Sequence, residues 1–356
     1  MKILFISPLP PPITGHSYIS GLLCNQLRVS NSVVEIDLSK DSLHDGSFSF
    51  SRVLSVFSIL VKIFNNRNEF DRFYLTLSQT LLGNIKDILI LLILRKQLFK
   101  GVVHLHGGVL KKNLFDKCYI LKKINQYFLG RLRRIVVSGK SHVNTFDGFD
   151  AKISVIKNGV ERSSFVSIKS MEQKFKKKKL TVLYLGGMHA SKGIFSLVEA
   201  IKLLPDKLKK EVEFIFAGRF FVSSLRNDFL NRIKGCSSIR YIGEVNESDK
   251  QKLFKRAQVF CLPSLNNEGQ PMAILEAYAG GCVVIASDQP GILDVFDDKN
   301  NGVKIFPTSI SIKNALEMTL NKKRSLLQDI ASLNRHIAMK EYTIERFSND
   351  VQNVLK

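Results

Sequence analysis

Two glutamates, Glu268 and Glu276, stand eight positions apart in a stretch whose pattern passes from strand to loop to helix. Val259-Phe260-Cys261-Leu262 reads as a buried strand and Pro263 to Gln270 as a loop. Pro271 to Ala279 reads as a helix, with Pro271 at its first position and Gly280-Gly281 closing it. This order sets Glu268, Gly269, Gln270, Pro271 and Met272 at the carboxyl end of a strand and the amino end of a helix. Ligands of open α/β sheets bind there, and free N–H groups at a helix start favour a phosphate. Glu276 falls five residues into the helix, a rise of about 7.5 Å. A carboxylate beside a phosphate is repelled unless it accepts hydrogen bonds from neutral donors, and sugar hydroxyls are such donors. The pair therefore suits a nucleotide-activated sugar, with Glu268 at the hexose and Glu276 at the ribose. Taken without their context, two glutamates around a helix start are equally a cap and a solvated face.

The elements that must position these residues follow from hydrophobic patterning. Lys2 to Ile6, Val33 to Leu38, Arg72 to Leu75, Val102 to His106 and Arg134 to Ser138 read as strands with helix-length segments between several of them. A second series runs through Leu180 to Leu185, Val212 to Ala217, Ile239 to Ile242, Gln258 to Leu262 and Val283 to Ala286. Such alternation predicts parallel, doubly wound α/β structure. Residues 1–160 form one expected domain and 180–341 another. Between them lies a polar connection, 161–179, ending in the run Lys176 to Lys179. The length of 356 residues suits two domains, each with its own core.

Charge is the unusual property: the formal net charge is +22. Lys+Arg outnumber Asp+Glu by 22 to 10 in residues 1–160 and by 31 to 21 beyond, so the excess belongs to both halves. A field of that sign draws nucleic acid, anionic headgroups or phosphorylated ligands. No nucleic-acid motif accompanies it, and nucleic acid is not an expected partner. The five cysteines are widely spaced without a CxxC, which fits a reducing, cytoplasmic compartment rather than a disulfide framework. The apolar run after Met1-Lys2 is too short for an export signal. Ile85 to Leu94 is well short of the roughly 20 residues needed to span a bilayer.

The stretch Glu268-Gly-Gln-Pro-Met-Ala-Ile-Leu-Glu276 through Asp288 resembles the Glu-x7-Glu signature of glycosyltransferase family 4. The resemblance extends in order through the Pro-rich loop with Gly15, His104-Leu-His106-Gly107, Asn158-Gly-Val160 and Gly186 to Gly193. It implies a GT-B fold, two Rossmann-like doubly wound domains facing across a cleft, and hexosyl transfer with retained configuration. It also implies that Lys192 neutralises the departing diphosphate, that Gly15 allows close approach to the donor and that His106 sits near the transferred sugar. The C-terminal segment 342–356 resembles the family's helix that packs back on the first domain. Two departures stand out. Gly187 occupies the position of a common arginine, leaving Arg219 or backbone amides to hold the phosphates, and His16 replaces a usual second glycine. His104 and His106 share a strand face without a third ligand, so no metal or other cofactor is expected.

Ser51 to Phe64 and Leu81 to Lys100 mix apolar stripes with basic residues, and Lys111-Lys112, Lys122-Lys123 and Arg131 to Arg134 add to the charge. The first domain is thus expected to be the acceptor side. It suits a glycan acceptor, lipid-linked and belonging to bacterial surface-polysaccharide assembly, and peripheral contact with an anionic membrane. Buried helices with solvated lysines are the plainer alternative. A nucleotide-sugar epimerase of the same architecture and a non-catalytic partner subunit are the competing functional readings.

Overall fold

The computed structural model describes residues 1–39 and 50–356. Their contacts divide into two compact units, Met1–Gly159 with Ile344–Lys356, and Val160–Thr343.

The first unit is built on strands β1 (Lys2–Ser7), β2 (Ser32–Asp37), β3 (Arg72–Thr76), β4 (Gly101–Leu105), β5 (Arg134–Val137) and β6 (Ile153–Val155), in the spatial order β2-β1-β3-β4-β5-β6. Every pairing is parallel. Residues Ile3 to Ile6 and Val102 to Leu105 are buried throughout because helices cover both sheet faces, so these strands read as continuous apolar runs rather than alternating ones. The chain passes from β1 to β2 in one direction, then from β2 through β3 and β4 to β5 in the other. With right-handed crossovers, that reversal puts helix Gly15–Arg28 on one face and helices Phe50–Asn66, Leu81–Ile93 and Tyr119–Leu129 on the opposite one. The C-terminal helix Ile344–Leu355 lies beside Gly15–Arg28. Arg72 Nε donates to the Leu355 carbonyl at 2.6 Å, which ties the end of that helix to β3.

The second unit carries β7 (Leu180–Leu185), β8 (Val212–Ala217), β9 (Ile239–Tyr241), β10 (Val259–Leu262), β11 (Val283–Ser287) and β12 (Gly302–Ile305), again all parallel, in the order β12-β11-β10-β7-β8-β9. Strand order reverses between β7 and β10. Doubly wound sheets bind their ligands at the carboxyl ends of the strands that flank such a reversal. Residues 161–179, expected as a connection, lie within this unit and contain helix Ile168–Phe175, whose Met171 and Phe175 are buried. Lys174 on that helix is also buried, its ammonium donating to the Ala257 and Gly280 carbonyls at 2.6 and 2.8 Å. No helix among the described residues is long and apolar enough to cross a membrane.

Candidate functional site

Strand β7 ends in a loop braced by two hydrogen bonds. Tyr184 Oη donates to the Gly187 carbonyl at 2.9 Å, and the Met188 amide donates to the Arg219 carbonyl at 3.0 Å. Lys192 closes a short turn, and Gly193 follows with φ 72°. A Cβ at Gly193 would stand 2.0 Å from the Pro263 carbonyl oxygen, so only glycine satisfies both the left-handed backbone and the close approach. The Leu265 amide also donates to the Ser191 carbonyl at 2.8 Å. Together these contacts clamp the loop after β7 to the loop after β10. As a result Lys192 Nζ meets Glu268 Oε1 at 2.5 Å, and Ser264 Oγ donates to the same oxygen at 2.5 Å. The structure thus joins two residues that the sequence marks separately.

Beyond Glu268 the chain is packed from behind: a Cβ at Gly291 would lie 1.7 Å from the Gly269 carbonyl oxygen. Gln270 and Met272 are buried. Pro271 sits one residue outside helix Met272–Ala279, as its cap, instead of at the first helical position expected from the sequence. No side chain caps this helix, so its first amides face the Glu268–Pro271 turn without a side-chain acceptor. The crevice therefore offers one cation, one carboxylate and a helix amino end. Those groups match a diphosphate and a polyhydroxylated sugar.

Glu276 has a partner that sequence reasoning missed. It is buried and takes a 2.5 Å ion pair from Lys250 of helix Glu247–Arg256, whose ammonium also lies 2.8 Å from Glu247. Burial opposes the charge on Lys250, but the Glu276 and Glu247 carboxylates outweigh it and hold the ammonium above its ordinary value. Burial also pushes the Glu276 carboxyl up, against the pull of Lys250.

Gly187 carries no side chain to compensate for the arginine it replaces. Arg219 is tied to this loop by its backbone, and its guanidinium stands 3.9 Å from Glu244 and over the Phe221 ring. His189 stacks on Phe221, with centroids 5.2 Å apart, and burial followed by the Lys192 charge lowers its pKa.

In the first unit Gly15 opens its helix after the Thr14 cap, and a Cβ there would meet nothing within 4 Å. Its neighbour His16 packs on His106, centroids 4.7 Å apart, and His106 stacks on His104 at 3.8 Å. Strand β4 ends at Leu105, so His106 lies one residue past the strand end expected for it. His104 is no surface residue: Tyr74 Oη lies 2.7 Å from its Nδ1 and Ser138 Oγ 3.4 Å from its Nε2. Burial depresses His104 to about 3 and His16 to about 4, with Lys86 adding to the latter, and holds His106 well below its ordinary value. All three are neutral hydrogen-bonding rings at neutral pH. Among the described residues no three His, Cys, Asp or Glu side chains converge as metal ligands.

Residues 167–336, which contain Lys192, Glu268 and Glu276, match the family model described as glycosyl transferases group 1. The phosphatidyl-myo-inositol mannosyltransferase of Mycolicibacterium smegmatis is 28% identical over 184 residues, 51% of this chain and 46% of that protein. A capsular polysaccharide biosynthesis glycosyltransferase of Staphylococcus aureus is 25% identical over 198 residues, covering 53% of this chain and 52% of its own. The chain spans about half the length of the curated relatives it matches. Among solved structures, Anabaena HepE in complex with UDP and glucose superposes with a TM-score of 0.77 at 16% identity, covering 100% of this chain and 99% of that one. Sucrose-phosphate synthase from Thermosynechococcus elongatus gives 0.77 at 14% identity, over 99% and 98%. The fold is GT-B, and the resemblance to glycosyltransferases is borne out.

Proposed function

We propose, from the premise that residues 167–336 carry a glycosyl transferases group 1 segment within a GT-B fold, that the chain moves a hexose from a UDP- or GDP-sugar to an acceptor hydroxyl. In this reading the enzyme is of the family 4 type and retains the anomeric configuration. The observation that carries it is the Lys192–Glu268 pair at the reversal of strand order between β7 and β10. Lys192 and the amides of Gln270, Met272 and their neighbours take the diphosphate and stabilise the charge that develops on it as the glycosidic bond breaks. Glu268 accepts hydrogen bonds from hexose hydroxyls and Glu276 from the ribose. Gly15 gives a backbone that approaches its substrate without a side chain, and His106 offers a neutral ring to a sugar hydroxyl. The chemistry asks for no metal or organic cofactor, because a lysine and a helix amino end supply the positive charge.

The acceptor is proposed to be a glycan, lipid-linked, in assembly of a bacterial surface polysaccharide such as an O-antigen or capsule. The reaction would occur at the cytoplasmic side of a membrane that the protein touches peripherally. The charge of the first unit supports this, as do relatives named for a phosphatidyl-inositol acceptor and for capsule synthesis.

Calorimetry with UDP- and GDP-sugars tests the premise. Binding of at least one donor, weakened in Lys192→Ala, is the expected result. No affinity for any of them would overturn the enzyme reading.

A further inference from the structure

The diphosphate of a sugar nucleotide carries two negative charges, whereas the loop after β7 offers it one ammonium, that of Lys192, already shared with Glu268. The same loop holds an imidazole with no role so far. His189 is exposed, with its stacked face covered by Phe221. It begins the short turn that Lys192 ends, and its carbonyl accepts from the Lys192 amide at 3.0 Å. A spacing of three in so tight a turn brings two side chains to one side, and the Lys192 charge reaches the ring.

Glycine at position 187 makes room for this ring. The Gly187 backbone lies outside the left-handed region, so its conformation would admit a side chain. A Cβ there would crowd His189, with Cδ2 at 3.2 Å and Nε2 at 3.8 Å, and would meet Phe221 Cε2 at 3.9 Å. The ring is fixed in that place by its stacking on Phe221, with planes 15° apart, and by its own amide, which donates to the Gly187 carbonyl at 2.9 Å. The imidazole therefore stands where a long side chain from residue 187 would begin.

The charged groups around the ring are Lys192, the Glu268 paired with it, Arg219 at 5.5 Å from the Phe221 centroid, and Glu244 at 3.9 Å from Arg219. Partial burial, then the Lys192 ammonium, hold His189 below the ordinary imidazole value, so the free ring is largely neutral at neutral pH. An anion bound to Lys192 cancels that repulsion and adds an attraction of its own, which favours the protonated ring.

We infer that His189 is a second ligand of the donor diphosphate, which accepts a hydrogen bond from the protonated imidazole beside Lys192, in the space that Gly187 leaves free. This rests on the donor reading and names the group that completes its diphosphate site. The proton comes from solvent and stays on the ring. Because the imidazole gains it in the complex, the extra affinity is fully present below the value of the free ring and is lost as the pH rises through the value in the complex.

Calorimetry with UDP-glucose, UDP-N-acetylglucosamine and GDP-mannose at about pH 6 and about pH 8 tests it, since a diphosphate esterified at both ends has no proton of its own to lose in that interval. A donor that binds should do so about fivefold more tightly at the lower pH, with uptake of a proton from the buffer. His189→Gln should bind at both pH values as the unaltered chain does at the higher one. His189→Lys carries a permanent cation, and Gly187→Arg/His189→Ala sends an arginine into the vacated space, so both should bind tightly at either pH. No affinity of the unaltered chain for any of the sugar nucleotides would overturn the functional reading and this inference with it. Binding of equal strength at the two pH values, or a pH dependence that survives in His189→Gln, would overturn the inference alone.

Discussion

Lys192 and Glu268 are separated by 76 residues, yet Nζ and Oε1 meet at 2.5 Å because the strands that precede them, β7 and β10, are neighbours at the reversal of strand order. The Lys192 side chain is 32% exposed and reachable by a ligand, whereas the Glu268 side chain is 13% exposed and anchored by Ser264. A donor diphosphate would take Lys192 as its counter-ion and leave Glu268 to hydroxyl donors.

Lys192→Ala and Glu268→Gln should each lower turnover by about 10²–10³-fold, the range for loss of one group that stabilises developing charge. Folding should change little, by about 1 kcal/mol or less, since a partly solvated ion pair contributes only that much. Turnover and chemical denaturation measured on the same preparations check both halves. Wild-type turnover in either variant would remove that residue from the catalytic assignment.

Gly193→Ala attacks the clamp instead of the charge. The substitution forces a side chain into a backbone at φ 72° and within 2.0 Å of the Pro263 carbonyl, so the two loops must part. A left-handed non-glycine residue alone costs about 1–2 kcal/mol. The melting temperature should fall and turnover with it, even though Lys192 and Glu268 are intact. An unchanged melting temperature would show that the loops are not held by this approach.

The Glu276–Lys250 pair predicts a different signature. Removing Lys250 leaves an enclosed carboxylate without its nearest cation, which costs about 3 kcal/mol when such a pair is broken. Lys250→Met should therefore destabilise strongly, and Lys250→Met combined with Glu276→Leu should recover much of the loss. Glu276→Gln, which can still accept from Lys250, should raise the donor KM more than it lowers kcat if the ribose is its ligand. A double variant no more stable than Lys250→Met would show that the pair is not coupled.

How much of this was legible in the sequence differs by residue. The strands that position the site, β7 and β10, are buried on both faces and therefore announce themselves as apolar runs. Edge strands β6 and β12 do not: Ile153-Ser-Val is three residues long, and Gly302-Val-Lys-Ile carries a lysine toward solvent. The Glu268–Glu276 segment is local in sequence, and its spacing survives translation into strand, loop and helix. Lys250 lies on a helix so rich in charge that it reads as solvated surface, and no local pattern marks a pairing made across two helices. Lys174 misleads in the same way. It abuts the run Lys176 to Lys179 that suggests a polar connection, yet it is buried and bonded to the Ala257 and Gly280 carbonyls. His16 is apparent only as a departure from a glycine pattern, and its contact with His106 requires β1 and β4 to lie in one sheet with β3 between them.

Three buried histidines give the first unit its acid sensitivity. His16, His104 and His106 all have folded-state values below the ordinary 6.5, because burial disfavours their charged forms, with Lys86 adding to the effect on His16 and neighbouring histidines to that on His104 and His106. The unfolded chain therefore binds more protons than the folded one between about 6.5 and the depressed values of about 4 and 3 for His16 and His104. Stability is fully present above 6.5 and falls as the pH drops through that window. His16→Gly removes one of these protons, along with the coulombic pressure on the other two rings. The melting temperature of the unaltered chain should thus fall on going from about pH 7 to about pH 5, and that of His16→Gly should fall less over the same interval. Thermal denaturation across the interval decides it. Equal slopes for the two proteins would mean that His16 titrates in the folded state as it does in the unfolded chain, and burial beside Lys86 could not then be what keeps it neutral.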